Sequence, residues 1–217
     1  SNNLIMKISF LSYYIDNDIP VYGGYEDQIK ISKKSSIKDG DTSNSLNVFF
    51  NNHVGTHIDF PFHFSNKGKK SSDYDASFWV FNKIGFIECD ILELPKKIKN
   101  LPTDIELLIF KSGFGKNRND DIYWKLQPVI PSFFAKLLRN QFPALRVFGF
   151  DMISLTSKLD RDEGKKAHLE FLIKNDILIL EDMNLEELSI PPNKVIISPL
   201  QISDADGAPC NVISILL

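Results

Sequence analysis

"NNHVGTHIDFPFHF", residues 51–64, holds three of the chain's four histidines, with an aspartate between the second and the third. His53, His57, Asp59 and His63 all carry odd numbers, so in extended backbone, where side chains alternate, they share one face. Gly55 and Pro61 both oppose a helix here. A straight strand fails for another reason. At about 3.3 Å per residue it carries His57 roughly 13 Å past His53, too far for both to meet one small ion. The chain is expected to bend at Gly55–Thr56, because glycine reaches backbone angles closed to other residues. The stretch therefore reads as a kinked strand that turns four titratable groups toward one cavity.

Imidazole suits zinc and iron, and carboxylate suits the harder manganese ion. A lone histidine is more often a satisfied core or surface residue, and an HxxxH pair alone says little. Three histidines and an aspartate of one parity, holding nearly all the chain's histidine, favour a divalent metal over that reading. The remaining histidine, His168, lies in a predicted helix, "KKAHLEFLIKN" (165–175), where His168, Phe171 and Leu172 fall on one side. Glu181 follows the strand-like "DILIL" (176–180). A carboxylate closing an apolar run is costly unless it is paired, hydrogen-bonded or metal-bound; the alternative is that "EDMNLEEL" opens a solvated helix. Together these residues exceed what one tetrahedral ion needs. The surplus implies two ions sharing a carboxylate, with one histidine left as an acid/base.

Other positions carry smaller expectations. Thr56 fixes the bend or hydrogen-bonds a ligand. Asp151 and Ser154 either support ligands or form a plain turn. Asp206 and Gly207 shape a tight turn near the site. Phe60, Phe62 and Phe64 alternate against the histidines and are expected in the core.

The 217 residues suffice for one substantial core, and a single domain over 1–217 is expected. Hydrophobic residues make up 43% and charged residues 24%, as in ordinary globular proteins. A net charge of −3 argues against nucleic acid and anionic membranes as partners. Cys89 and Cys210 match no close-spaced metal or redox pattern, so free thiols in a reducing compartment are expected. No apolar run approaches the ~20 residues of a membrane span. The opening "SNNLIMKISFLSYY" lacks a basic segment and a cleavage site, so no leader is read and the cytoplasm is the default.

Strand-length runs recur at "LIMKISFL" (4–11), "LNVFF" (46–50), "FIECDIL" (86–92), "ELLIFK" (106–111), "LRVFGF" (145–150), "VIIS" (195–198) and "NVISIL" (211–216). "PSFFAKLLRNQF" (131–142) predicts a second helix starting at Pro131–Ser132. The class is α/β with strands in the majority. The polar "KNRNDD" (116–121) reads as the least ordered loop.

"HVGTHIDFPFH" (53–63) resembles in full the H-x-G-T-H-x-D-x-P-x-H signature of the metal-dependent cyclase/hydrolase family that contains bacterial kynurenine formamidase and isatin hydrolase. "IPVYGG" (19–24), "GFDMIS" (149–154), "HLEFLIKNDILILEDMNL" (168–185) and "DADGAPCNVISIL" (204–216) are similar to further segments of that family. The resemblance thus runs through most of the chain.

The resemblance implies a swivelling β/β/α fold and a homodimer or higher homo-oligomer. It implies one metal on His53, His57 and Asp59, and a second on His168 and Glu181, with Asp59 bridging and Glu181 also reaching the first. Zn²⁺ or Mn²⁺ are the candidate ions. His63 matches the proton-transfer position. Tyr22 stands where formamidases of the family carry a substrate-contacting tryptophan, and Gly23 replaces a proline. The His168-to-Glu181 spacing is one residue longer than a formamidase implies. The implied reaction is metal-dependent hydrolysis of a small carbonyl compound: an arylformamide, cyclic amide or lactone. The alternatives are a dehydratase or cyclase on the same site, or a metal-stabilised binding protein without turnover. Tyr22 brings a hydroxyl and less flat area than tryptophan, so a substrate smaller or more polar than N-formylkynurenine is expected.

Overall fold

A computed structural model of the chain describes residues 6–217. Leu4 and Ile5 of the expected first strand, and the start of the segment read for a leader, lie outside the described residues. Eleven strands are described: β1 Lys7–Phe10, β2 Ile29–Ser35, β3 Ser45–Phe50, β4 His57–Asp59, β5 Val80–Phe81, β6 Ile84–Glu88, β7 Leu107–Lys111, β8 Val147–Phe150, β9 Leu178–Glu181, β10 Lys194–Pro199 and β11 Gly207–Leu216. The helices are α1 Leu94–Lys97, α2 Ile122–Lys125, α3 Phe133–Gln141 and α4 Arg161–His168.

Nine strands form one sheet in the order β5-β10-β11-β4-β9-β8-β7-β6, with β1 also paired to β11. The strands at the two ends of this path, β5 and β6, are separated in sequence only by Asn82 and Lys83, so the sheet curls almost back on itself. β6 to β9 run parallel. A parallel sheet covered on both faces needs continuous apolar runs, and "LLIF", "VFGF" and "LIL" supply them, every residue buried. Phe171, from the turn after α4, stacks on Phe148 of β8 with ring centroids 5.4 Å apart. That contact fastens the helical layer to the middle of the sheet. β2 and β3 stand apart as a two-stranded hairpin.

The expected α/β class and both predicted helices are present. α3 starts as predicted, although its entry is held by Glu163, whose Oε1 accepts from Ser132 N at 2.6 Å. α4 starts earlier than its apolar stripe, at Arg161, because Asp160 accepts from Glu163 N and caps it.

Three expectations need correction. The kinked strand is in fact three pieces: a bend through His53–Thr56, the three-residue β4, and a tight turn Pro61–His63. Gly55 makes the bend as expected, at φ 61°. Phe60 is buried and Phe64 packs partly against the core as expected, although Phe64 also stacks against His168 at 4.4 Å; Phe62 is only half-buried, under the Lys70 ammonium, and lies outside the core. The "KNRNDD" loop is not merely solvated, because Arg118 is drawn inside by an ion pair with Asp182.

Candidate metal centre

The short strand β4 gathers the centre because it lies between β11 and β9, antiparallel to both. Its register sets His57 opposite Glu181 and Asp59 opposite Gly207. Period-two alternation turns His57 and Asp59 to one face and Ile58 to the other. Glycine at 207 is required by close approach. A Cβ there would collide with the His53 ring, so a bare backbone lets that ring lie against the start of β11. His168 closes α4, and the chain then widens into a π turn, Leu169–Lys174, a local irregularity common at functional sites.

Asp59 sits at the middle. Its Oδ1 is 2.9 Å from His53 Nδ1 and 3.5 Å from His57 Nε2, and its Oδ2 is 3.4 Å from His168 Nε2. Glu181 lies 3.0 Å from His57 Nε2 and 3.8 Å from His168 Nε2. Two donor sets therefore converge, His53–His57–Asp59 and Asp59–His168–Glu181, each with its donor atoms within 4.8 Å of one another, and Asp59 belongs to both. Backbone carbonyls aim the rings: His57 Nδ1 lies 2.8 Å from Gly55 O and His168 Nδ1 2.9 Å from Gly164 O. Donation to those carbonyls leaves both Nε2 atoms facing the carboxylates. Glu181 accepts from Leu155 N and from Ser154 Oγ. Of the two roles open to Ser154, it takes the one that supports a ligand. Asp151 does not, binding instead the backbone of Ser112 and Gly113.

The charges agree with the geometry. Burial pushes the His53 and His168 pKa values down, but hydrogen bonds to Asp206 and Asp59, and to Asp59 and Glu181, raise each to about 9. His57 is lifted well above its usual value against the same burial. Burial raises the Asp59 carboxyl, yet three imidazoles hold it well below the ordinary carboxylate range. Glu181 is lowered although burial and the nearby Asp59 oppose it, because His168 and His57 outweigh them. Buried carboxylates balanced by imidazoles on all sides are the donor chemistry that a divalent cation fits.

His63 stands at the open side, its side chain 30% exposed and its ring stacked on His53 at 4.0 Å. Tyr22 occupies the turn Tyr22–Gly24, and its buried hydroxyl has no hydrogen-bond partner among the described residues. Among the described residues, no hydrogen bond or ring contact joins it to the centre. The sequence reading missed the main role of Asp206, which bonds both His53 and His63. The only signal for it was its place in "DADGAP", where an aspartate also reads as a turn; the turn itself is made by Asp204, at φ 56°. A separate groove of about 810 Å³ is lined by Thr56, Phe60, Tyr74 and Trp79, with residues of β10 and β11, and by none of the histidines.

Behind Glu181, Asp182 adopts φ 53°, a conformation unusual for a residue with a side chain. Its carboxylate accepts from Arg118 Nε at 2.9 Å, from Arg118 Nη2 at 2.8 Å and from the Tyr123 hydroxyl at 2.6 Å. Its carbonyl accepts from Thr56 Oγ1 at 2.6 Å. Thr56 thus bonds the backbone beside Glu181 rather than a ligand. Arg118 and Asp182 are 11% and 1% exposed, and breaking such a buried pair costs about 3–5 kcal/mol. Arg118→Ala is expected to lower the melting temperature by roughly 10 °C, at about 2–4 °C per kcal/mol for a chain of this length. A shift under about 2 °C, within surface-substitution range, would remove the pair from this role.

A curled, mixed sheet with two carboxylate–imidazole donor sets where its parallel and antiparallel parts meet defines the class: α/β proteins built around a centre for divalent cations. The chain belongs to the family described as putative cyclase, which matches residues 10–156. A kynurenine formamidase of Bacillus cereus is 32% identical, covering 94% of both chains. One of Geobacillus thermodenitrificans is 30% identical, covering 92% of both. Among solved structures, isatin hydrolase A from Labrenzia aggregata bound to benzyl benzoate superposes with a TM-score of 0.79. It is 17% identical and covers 97% of this chain and 94% of its own. An isatin hydrolase bound to the product analogue thioisatinate gives 0.80 at 15% identity, over 97% and 92%. The likeness bears out the expected fold. Among the described residues, no helix is long and apolar enough to cross a membrane.

Proposed function

We propose that the chain, as one domain over residues 1–217, is a metal-dependent hydrolase of the amide bond in a small carbonyl compound, with arylformamides and cyclic amides as the leading substrates. The observation that carries this reading is the pair of donor sets sharing Asp59. His53, His57 and Asp59 would hold one ion and Asp59, His168 and Glu181 a second; zinc or manganese fits the mixed imidazole–carboxylate set. Bound there, a divalent cation supplies Lewis acidity, polarising a carbonyl oxygen and bringing a water's pKa toward about 7. His63, on the open side, takes the proton of the attacking water and delivers it to the leaving nitrogen. Phe64 excludes water from one face of His168 by stacking on it. Formamidases and isatin hydrolases, named among the relatives and structural neighbours, support the amide class. We infer also a cytoplasmic protein that forms a homodimer or higher homo-oligomer.

A panel of formamides, cyclic amides, lactones and dehydration substrates, read against metal content, tests this. The expected result is turnover of an amide in proportion to bound metal. Dehydration without hydrolysis, or metal without any turnover, would replace it with the dehydratase or binding reading. Tyr22 is proposed to hydrogen-bond the substrate through its unpartnered hydroxyl. Tyr22→Phe is then expected to raise KM about three- to tenfold, the size of one neutral hydrogen bond, with metal content unchanged. An unchanged KM takes Tyr22 out of the substrate site.

A further inference from the structure

We propose that Asp206 is a positioning residue whose single carboxylate oxygen sets the tautomers of both His53 and His63, an inference that rests on the acid/base role of His63 given above. Asp206 lies just before β11, where its carbonyl accepts from Phe60 N at 2.9 Å, so β-sheet contacts hold its backbone. Its Oδ1 accepts from Asn52 Nδ2 at 2.6 Å, and the same amide group reaches Gly207 O at 3.0 Å. The carboxylate is thereby fixed in rotation, and Oδ2 is left 2.8 Å from His53 Nε2 and 2.7 Å from His63 Nδ1. The two rings stack 4.0 Å apart with planes 29° from parallel, which is how both nitrogens meet one oxygen.

An ionised carboxylate only accepts hydrogen bonds, so each facing nitrogen must carry the proton. The consequence differs for the two rings. His53 Nδ1 faces a carboxylate as well, Asp59 at 2.9 Å; with a cation held in the first donor set, a proton kept on Nε2 by Asp206 would leave the Nδ1 lone pair for that ion. In His63 the lone pair is left on Nε2, free to accept a proton from water. Without Asp206 each neutral ring is free to take the other tautomer, and a His63 protonated at Nε2 cannot act there as a base. His53, His63 and Asp206 also form a donor set of their own. A neutral imidazole has one lone pair, however, so His53 cannot serve that set while it serves the one with Asp59.

Asp206→Asn, alone and combined with His63→Ala, tests the inference on the fastest compound of the panel, with kcat, KM, metal content and melting followed together. Metal affinity is expected to fall about 10- to 100-fold, as for other groups that orient a ligand. At saturating metal kcat is expected to stay down by roughly 10²-fold or more, with little change in KM. In the His63→Ala background the same change is expected to add no more than about twofold, since Asp206 acts through a ring no longer present. Recovery of full kcat at saturating metal, or losses that multiply in the double variant, would overturn the inference. Should Asp206→Asn fail to fold, Asn52→Ala keeps the Asp206 carboxylate and both histidines while freeing Oδ1 together with the Gly207 carbonyl; a partial kcat loss supports the inference and an unchanged kcat overturns it. Full activity in His63→Ala alone would instead overturn the acid/base reading on which the inference rests.

Discussion

Asp59→Ala is expected to strip the centre of metal, lower the melting temperature and abolish hydrolysis together. Asp59 is 1% exposed and faces three imidazoles, so its loss leaves buried cations with Glu181 and Asp206 alone to balance them. Removing one partner from a buried ionic group costs about 3–5 kcal/mol, roughly 10 °C in a chain of this length. The bound metal adds to that difference, since a ligand at a hundred times its Kd contributes about 2.7 kcal/mol. Asp59 belongs to both donor sets, so no ion keeps a complete set without it. Loss of several kcal/mol of Lewis-acid stabilisation corresponds to about 10³-fold or more in rate. Asp59→Asn keeps the shape and removes the charge, and is expected to lose metal while melting nearer the wild type. Full metal content in Asp59→Ala would show that the ion is held elsewhere.

His63→Ala is the complementary case. The His63 side chain is 30% exposed and, among the described residues, hydrogen-bonds only Asp206, so its removal takes no donor atom from either set that contains Asp59. Metal content is expected to stay at the wild-type level, with melting essentially unchanged. kcat is expected to fall by roughly 10² to 10⁴, the usual size of a general acid–base contribution. Metal falling as far as in Asp59→Ala would make His63 a ligand, and an unchanged rate would leave it a bystander.

These two residues were distinguished only by resemblance; parity alone puts His53, His57, Asp59 and His63 on one face without ranking them. What parity could establish held where the strand is real: His57 and Asp59 do share a face of β4, and Gly55 does make the bend. It failed beyond residue 59, because Pro61 closes a turn that carries Phe64 back onto His168. The β5 strand is only two residues long, and β2, "IKISKKS", is too rich in lysine to look like sheet. Arg118 was unreadable for a different reason. Its loop is polar throughout, and only the distant Asp182 makes burial of a guanidinium favourable. Asp206 is hidden in the same way, since both of its histidine partners lie more than a hundred residues away in sequence.

The most direct measurement is hydrolysis of an arylformamide by protein stripped of metal with a chelator and then titrated with zinc or manganese. Negligible rate in the stripped protein is predicted, with recovery that saturates as one to two ions bind per chain. An undiminished rate in protein shown to be free of metal would contradict the account, because the residues around Asp59 would then have no ion to present to the substrate.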